Sequence, residues 1–168
     1  MNKTQMEAAD VVAVGDVLAD ARVTCWLDGG WGVDALVGRQ TRPHEDLNVV
    51  IAVDDVASAI EALQAVGFTV EEDLRPVSFT MCTPDGRKVD FHPVTWDEHG
   101  GGVQAQPNNS SWTYPAEGFR GVGQVAGHPV RCLTVDVQIL CHAGYQLDAG
   151  DLHDLGVLRS LQHGPGIR

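Results

Sequence analysis

The chain has 168 residues, of which 43% are hydrophobic and 20% charged, a composition typical of a globular protein with a sizeable core. Its formal net charge of −12 disfavours binding to nucleic acid, because affinity for a phosphate backbone comes largely from Lys and Arg. No apolar run approaches the ~18 to 20 residues of a membrane span. Residues 1–15 also lack the pattern of a signal peptide. We therefore expect a cytoplasmic protein that has no membrane segment and does not bind nucleic acid.

The cysteines do not form a recognisable pattern. They lie in apolar stretches without a CxxC pair, at Cys25, Cys82, Cys132 and Cys141. Paired spacings are typical of zinc sites, and disulfides are rare in a cytosolic chain. We expect buried thiols, and neither a disulfide framework nor a zinc site.

The first half of the chain alternates between helical and strand patterns. Apolar residues recur at helical spacing, whereas β-branched and aromatic runs that end at Gly or Asp indicate strands. The predicted elements are a helix within 4–21, a strand over 22–27, a glycine turn at 28–30, a helix over 31–37 that ends near Gly38, a strand over 47–53 and a helix over 56–66. Their order is β-α-β-α after an opening helix.

The second half predicts a hairpin and then a more irregular region. Asp85-Gly86 tolerates positive φ and favours a tight turn between strands over 77–82 and 88–92, after a short strand near 68–71. Short strands and loops are expected over 97–128. Helical spacing returns over 135–145, Gly150 interrupts it, and a last helix covers 151–161.

These elements predict an α/β (α+β) fold, with a mixed sheet flanked by helices and a small helical C-terminal part. We expect residues 1–98 to form the core. Residues 99–168 then form a substrate-binding part that packs on the core, either as a separate unit or within a single domain.

Three features together indicate phosphoryl or nucleotidyl transfer. They are the Gly29-Gly30 turn after a strand, the acidic segment His44 to Asn48 before the next strand, and Asp90 on a hairpin strand. Glycines let the backbone approach a phosphate near a helix N-terminus. Residues two apart on a strand face the same side, so positions 46 and 48 can share a metal with a carboxylate from a neighbouring strand.

A long stretch of sequence resembles the small lincosamide nucleotidyltransferases and their aminoglycoside 2″-nucleotidyltransferase relatives. The resemblance begins with WLDGGWGVDA over 26–35 and GRQTRPHEDLN over 38–48. It continues through GRKVDFHP over 86–93 and, over nearly the whole chain, through shorter segments at 114–115, 118–119, 130–133, 138, 142–145 and 151–155. The resemblance implies the nucleotidyltransferase fold.

The resemblance also implies roles for site residues. Gly29 and Gly30 are expected to hold the triphosphate of ATP, and Asp46 to bind Mg²⁺. Asp90 is expected to be the general base or a further metal ligand. Other contacts with phosphates or with the acidic motif are expected from Arg39, Arg42 and His44.

Asn48 departs from the family, in which this position is the second Asp of an Asp-x-Asp motif. An amide oxygen is neutral and holds a divalent cation less strongly than a carboxylate. The site is therefore expected to bind metal through Asp46, Asn48 and Asp90, with lower affinity. Three interpretations of Asn48 are open: a stalled enzyme, an enzyme that works with two carboxylates, or a family member that binds its ligands without transferring a group.

Three further side chains have both a binding and a packing interpretation. His92 lies two residues after Asp90 and shares its face, where it contacts the acceptor or is a hydrogen-bonded core residue. His142 and Tyr145 lie three apart in a predicted helix. These two side chains either line the drug pocket or contribute to the packing of that helix.

The expected reaction moves AMP from MgATP to a hydroxyl of a lincosamide antibiotic, in a protein that is a monomer or a homodimer. An aminoglycoside is the alternative acceptor. A non-catalytic nucleotide or drug binder and a nucleotidyltransferase that modifies proteins are further alternatives, although the acidic surface disfavours the last.

Overall fold

The structure, a computed structural model, describes residues 5–163. Its longer helices are α1 (Ala8–Asp20), α2 (Gly29–Val37), α3 (Val56–Gln64), α4 (Val135–Cys141) and α5 (Ala149–Gln162). Its strands are β1 (Cys25–Asp28), β2 (Leu47–Ala52), β3 (Thr69–Leu74), β4 (Ser78–Cys82), β5 (Lys88–Trp96), β6 (Gly102–Ala105), β7 (Ser111–Tyr114), β8 (Val122–Val125) and β9 (His128–Arg131).

The main sheet is mixed. Its central order is β1-β2-β5-β4-β3, and β6 and β7 extend it from the far end of β5. β2 and β5 run parallel, whereas the other pairs of this sheet are antiparallel. β8 and β9 form a separate two-stranded ribbon. The predicted mixed α/β fold is confirmed.

Strand alternation gives the two faces of the sheet different partners. On β2, Val49 and Ile51 join the larger core, which α1 and α3 cover with Leu18 and Leu63. The opposite face is smaller and lies against α4 and β7, at Val50, Val94, Tyr114, Leu133 and Val137. The side chains of Asn48, Asp90 and His92 belong to this second face, because they alternate with buried core residues along their strands.

Most predicted elements are confirmed with boundaries shifted by a few residues. The hairpin around Gly86 forms, and this glycine has φ 92°. Gly38 ends α2 in the left-handed conformation, as predicted. Thr4, the first residue of the segment predicted to contain the opening helix, lies outside the described residues.

Two predictions near the C-terminus are wrong. The helix after residue 135 ends at Cys141, so His142 and Tyr145 lie in the following loop rather than on a helix. Gly150 does not interrupt a helix but lies in the first turn of α5. A capping box explains this start: the Asp148 side chain accepts from the Asp151 N–H at 2.8 Å, and Asp151 accepts from the Asp148 N–H at 3.0 Å.

The sheet crosses the predicted division at residue 98, because β6 pairs with β5. The division into a core and a substrate-binding part stays a prediction. The four cysteines are free thiols, of which Cys132 is buried and the others half-buried. Among residues 5–163, no helix has the length and apolarity that a membrane span needs.

Two leucines on helices provide a matched test of the core. Leu63 on α3 is 0% exposed, whereas Leu152 on α5 is 60% exposed. We expect Leu63→Ala to lower the free energy of unfolding by about 3 kcal/mol, because burial is lost and a cavity forms. Leu152→Ala is expected to change it by less than about 0.5 kcal/mol. Urea denaturation measures both, and equal losses would contradict this description of the core.

Candidate active site

A row of polar side chains crosses the sheet at one end of β2. Asp28 on β1 is paired with Asn48 on β2, and Asn48 with Asp90 on β5. Neighbouring strands are about 5 Å apart, so the three side chains lie side by side on one face. Asp46 precedes β2 and lies next to this row, since its Oδ1 is 3.3 Å from Asn48 Nδ2.

α2 begins directly beside this row. Asp28 is its N-cap, and its carboxylate accepts a hydrogen bond from the Gly29 N–H at 2.8 Å. Gly29 has φ 58°, and a Cβ at this position would lie 2.7 Å from Asn48 Nδ2. A Cβ on Gly30 would collide with His44 and Arg42. Glycine is therefore required at both positions for the helix N-terminus to approach the acidic segment.

The N-terminus of α2 opens into a cleft of about 360 Å³. We call it the acidic cleft, because six of its residues are carboxylates and Arg42 alone among its lining residues is Arg or Lys. Its lining comprises Asp28, Gly29, Gly30, Arg42, His44, Glu45, Asp46, Asn48, His92, Cys141, His142, Tyr145, Asp148, Asp151 and Asp154. Ten of the predicted site residues are thus brought to one region, nine in this lining and Asp90 beside His92.

Arg42 is held by an ion pair with α5. Its guanidinium donates to both oxygens of Asp154, at 2.9 Å and 2.8 Å. The Asp154 side chain is 3% exposed, whereas that of Arg42 is 29% exposed. A two-point pair of this kind fixes both side chains, so Arg42 fastens α5 to the loop before β2 while one side of it faces the cleft.

His44 is buried and belongs to a second network. Its Nε2 donates to Asp34 on α2 at 2.6 Å, and its ring lies 4.8 Å from that of Trp31. Asp34 also accepts from the backbone N–H of Thr41 at 2.8 Å and from its hydroxyl. The Thr41 hydroxyl in turn accepts from His153 on α5 at 2.8 Å. His44 therefore fixes the loop that carries Arg42 and Asp46.

His92 lies close to both Asn48 and Asp90 of this row. Its Nε2 lies 3.1 Å from Asn48 Oδ1 and 3.5 Å from Asp90 Oδ2. Burial raises the pKa of Asp90; His92 and Lys88 oppose this effect, while Asp46 and Glu72 reinforce it. A carboxylate with a raised pKa is a stronger proton acceptor when ionised. The amide of Asn48 faces Asp46 with its nitrogen, so a ligand role for its oxygen requires the amide to rotate.

A second cleft of about 440 Å³ adjoins the first. We call it the aromatic cleft, after Trp112 and Tyr114. Its lining comprises Asp28, Val77, Ser78, His92, Gln104, Gln106, Trp112, Tyr114, Leu140, Cys141 and Ala143. The two clefts share Asp28, His92 and Cys141. A molecule in either cleft therefore reaches His92.

The loop after α4 borders the acidic cleft. His142 donates from Nδ1 to the Gln138 carbonyl at 2.7 Å, and its Nε2 lies 3.8 Å from Asp151. Tyr145 is 51% exposed and donates its hydroxyl to Asp151 at 3.2 Å. Two of the three predicted substrate contacts, His142 and Tyr145, thus line the acidic cleft and lie on a loop instead of a helix.

Arg39 is not brought to this site. It is exposed and follows Gly38 at the far end of α2. Sequence reasoning missed Asp28 and Asp154 as lining residues. Asp28 directly precedes Gly29, and this adjacency was the available signal. Asp154 becomes a site residue only through tertiary contact with Arg42.

The site offers two carboxylates that could bind Mg²⁺. Within residues 5–163, no group of three or more His, Cys, Asp or Glu side chains is arranged as a metal site. Asp46 and Asp90 nevertheless flank Asn48, and Mg²⁺ is commonly bound by one or two carboxylates together with substrate phosphates. The hard oxygen donors here therefore fit this ion.

Several relatives are similar in sequence, and two of them represent the group. The chain is 27% identical over 161 residues to the lincosamide resistance protein of Staphylococcus haemolyticus, an alignment that covers 96% of this chain and 99% of that protein. It is 28% identical over 131 residues to the 2″-aminoglycoside nucleotidyltransferase of Klebsiella pneumoniae, covering 76% of this chain and 69% of that protein.

Solved structures share the fold. The lincomycin-bound crystal structure of the lincosamide antibiotic adenylyltransferase LnuA matches with a TM-score of 0.84 and 26% identity, over 94% of this chain and 99% of that one. ANT(2″)-Ia in complex with adenylyl-2″-tobramycin matches with a TM-score of 0.74 and 18% identity, over 95% and 90% of the two chains. The mixed sheet and its flanking helices therefore form the nucleotidyltransferase fold.

The family follows from a match over most of the chain. A family model described as aminoglycoside-2″-adenylyltransferase matches residues 10–158. The chain belongs to this family. The resemblance to antibiotic nucleotidyltransferases that the sequence motifs indicated is confirmed.

The buried Asp34 is expected to make stability depend on pH. Although burial alone would raise the pKa of Asp34, hydrogen bonds from His44 and Thr41 outweigh it and lower the pKa below the ordinary 3.8. A depressed pKa in the folded state contributes stability above the unfolded pKa, and this contribution disappears as pH falls through the folded pKa. Asp34→Asn is expected to cost about 2 kcal/mol at pH 7.

Chemical denaturation from pH 7 down to pH 3 tests this expectation. Between pH 5 and pH 3, the difference in unfolding free energy between the wild type and Asp34→Asn should shrink, because protons bind Asp34. Asp54→Asn, at an exposed position beyond β2, is the control. A difference that grows as pH falls would contradict the assignment.

Proposed function

We propose that this protein transfers AMP from MgATP to a hydroxyl of a lincosamide antibiotic. The observation that carries the proposal is the junction of the two clefts at Asp28, His92 and Cys141. A nucleotide in the acidic cleft and an acceptor in the aromatic cleft would meet beside His92 and Asp90. Holding two reactants in contact is a large part of catalysis in transfer reactions.

The acidic cleft suits the nucleotide because of its helix N-terminus. The backbone N–H groups at Gly29 and Gly30 would face the phosphates, with Arg42 at the side of the cleft. Six carboxylates would repel a bare triphosphate, so its charge must be neutralised. Mg²⁺, held by Asp46 and Asp90, would supply this neutralisation and polarise the phosphates.

Asp90 is the proposed proton acceptor. It takes the proton of the drug hydroxyl, whose oxygen forms a bond to the α-phosphorus of ATP while the bond to pyrophosphate breaks. The position of Asp90 supports this role: it pairs with Asn48 on β2 and lies beside His92, a residue that lines both clefts. His92 Nε2 lies 3.5 Å from the Asp90 carboxylate. His92 also lines the aromatic cleft, in which the acceptor would bind.

The aromatic cleft supports a lincosamide as the acceptor. Among its lining residues Asp28 is the one carboxylate, and the remainder includes Val77, Trp112, Tyr114 and Leu140. An aminoglycoside carries several positive charges and would need several acidic partners on this side. A lincosamide combines a sugar with aliphatic groups and has fewer charges, which suits amide and aromatic side chains. The similarity to the Staphylococcus haemolyticus lincosamide resistance protein supports the same acceptor.

Mass spectrometry after incubation with MgATP tests the proposal. Lincomycin and clindamycin are expected to gain one AMP, whereas tobramycin is not. Asp90→Asn is expected to lower kcat about 100-fold or more, because the proton acceptor is lost. Asp54→Asn, at the other end of β2, is the matched control and is expected to keep wild-type kcat.

Each other outcome contradicts part of the proposal. Product from tobramycin alone would assign an aminoglycoside as the acceptor. Transfer to neither drug class, with nucleotide binding retained, would favour a binder without transferase activity. Wild-type kcat in Asp90→Asn would remove Asp90 as the base.

Asn48 is expected to weaken metal binding without abolishing transfer. Restoring a carboxylate with Asn48→Asp adds a charge close to the ion; opposite charges ~4 Å apart interact by ~4 kcal/mol at an effective dielectric of about 20. We expect the Mg²⁺ concentration for half-maximal rate to fall about tenfold, since solvent and repulsion from Asp46 offset much of that energy. A Mg²⁺ titration of the initial rate measures this, and an unchanged midpoint would contradict it.

A further inference from the structure

A chain of hydrogen bonds runs from the wall of the aromatic cleft to Asp46. It begins at Gln104 on β6, a residue that is 5% exposed. Gln104 Nε2 donates to the Val77 carbonyl at 2.8 Å. A carbonyl only accepts, so this bond identifies which end of the Gln104 amide is the nitrogen.

Tyr114 fixes the other end of the same amide. Its hydroxyl donates to Gln104 Oε1 at 3.0 Å. Tyr114 is 4% exposed, and burial raises the pKa of its hydroxyl far above its usual range, so the group keeps its proton. Gln104 is therefore held at both ends, and its second N–H has a defined direction.

This second N–H points at His92. Gln104 Nε2 lies 3.1 Å from His92 Nδ1, which must accept the hydrogen bond. In a neutral imidazole the proton then belongs to Nε2, on the side of the site. His92 Nε2 donates to Asn48 Oδ1 at 3.1 Å, and Asn48 Nδ2 donates to Asp46 at 3.3 Å. In this series of hydrogen bonds, the donor and acceptor of each bond follow from those of the bond before it.

We propose that Gln104 is a positioning residue for AMP transfer: it fixes the Nε2–H tautomer of His92 and, through it, the orientation of the Asn48 amide toward Asp46. His92 is then a hydrogen-bond donor to the reacting centre and not a base. Asp90 is left as the proton acceptor. The effect on the rate rests on the proposed function, whereas the tautomer does not.

Gln104→Glu tests this proposal because a carboxylate accepts but does not donate. NMR of ¹⁵N-labelled histidine at a pH where His92 is neutral should show Nε2–H in the wild type and Nδ1–H in Gln104→Glu. We expect kcat to fall about 100-fold in this variant, with KM for MgATP within about twofold of the wild type. Gln104→Leu, which has neither donor nor acceptor, removes the hydrogen bond to His92 Nδ1 without offering that nitrogen an acceptor, and should give an intermediate loss of kcat.

Gln124→Glu makes the same substitution on β8, at an exposed position outside both clefts, and should leave tautomer and kcat unchanged. Thermal unfolding of all variants checks that they are folded. An Nδ1–H tautomer in the wild type would overturn the proposal, as would the same kcat in Gln104→Glu and Gln124→Glu. If the wild type adenylylates no acceptor, the proposed function fails, while the NMR result still decides the role of Gln104.

Discussion

The parallel pairing of β2 with β5 determines where the candidate active site lies. The pairing places Asn48 beside Asp90 and Val50 beside His92, on the face opposite the larger core. A shift of one residue along either strand would turn these polar groups into that core. Burial of Val49 and its neighbours therefore fixes the register of the two strands. That register determines which polar side chains lie together in the site.

The elements around the row of Asp28, Asn48 and Asp90 form two clefts. On one side, the start of α2 at Gly29 approaches Asn48 closely because no side chain intervenes. On the other side, Tyr114 and Gln104 form a wall that contacts His92. The acidic character of the first cleft and the aromatic character of the second come from different elements. The two reactants of the proposed transfer would therefore have separate walls and one shared boundary.

Much of this arrangement was predictable from sequence, because it depends on local spacing. The two-residue spacing correctly predicted that Asp46 lies beside Asn48, although Asp46 precedes β2, and alternation along β5 correctly predicted that Asp90 lies beside His92. The partners that control these side chains were not predictable. Gln104 reaches His92 through the sheet extension, and the capping box that begins α5 at Ala149 outweighs the helix-breaking tendency of a glycine in its first turn. Long-range contacts of this kind leave no periodic signal in a single sequence.

The ion pair between Arg42 and Asp154 joins segments that are 112 residues apart. His153 makes a parallel link to Thr41, so two consecutive residues of α5 hold the segment that leads into Asp46. The last helix thus forms part of the wall of the acidic cleft, which Asp151 and Asp154 line. A chimaera that exchanges this helix with that of a relative would have to exchange residues 41–44 as well, or the loop before β2 would lose its anchor.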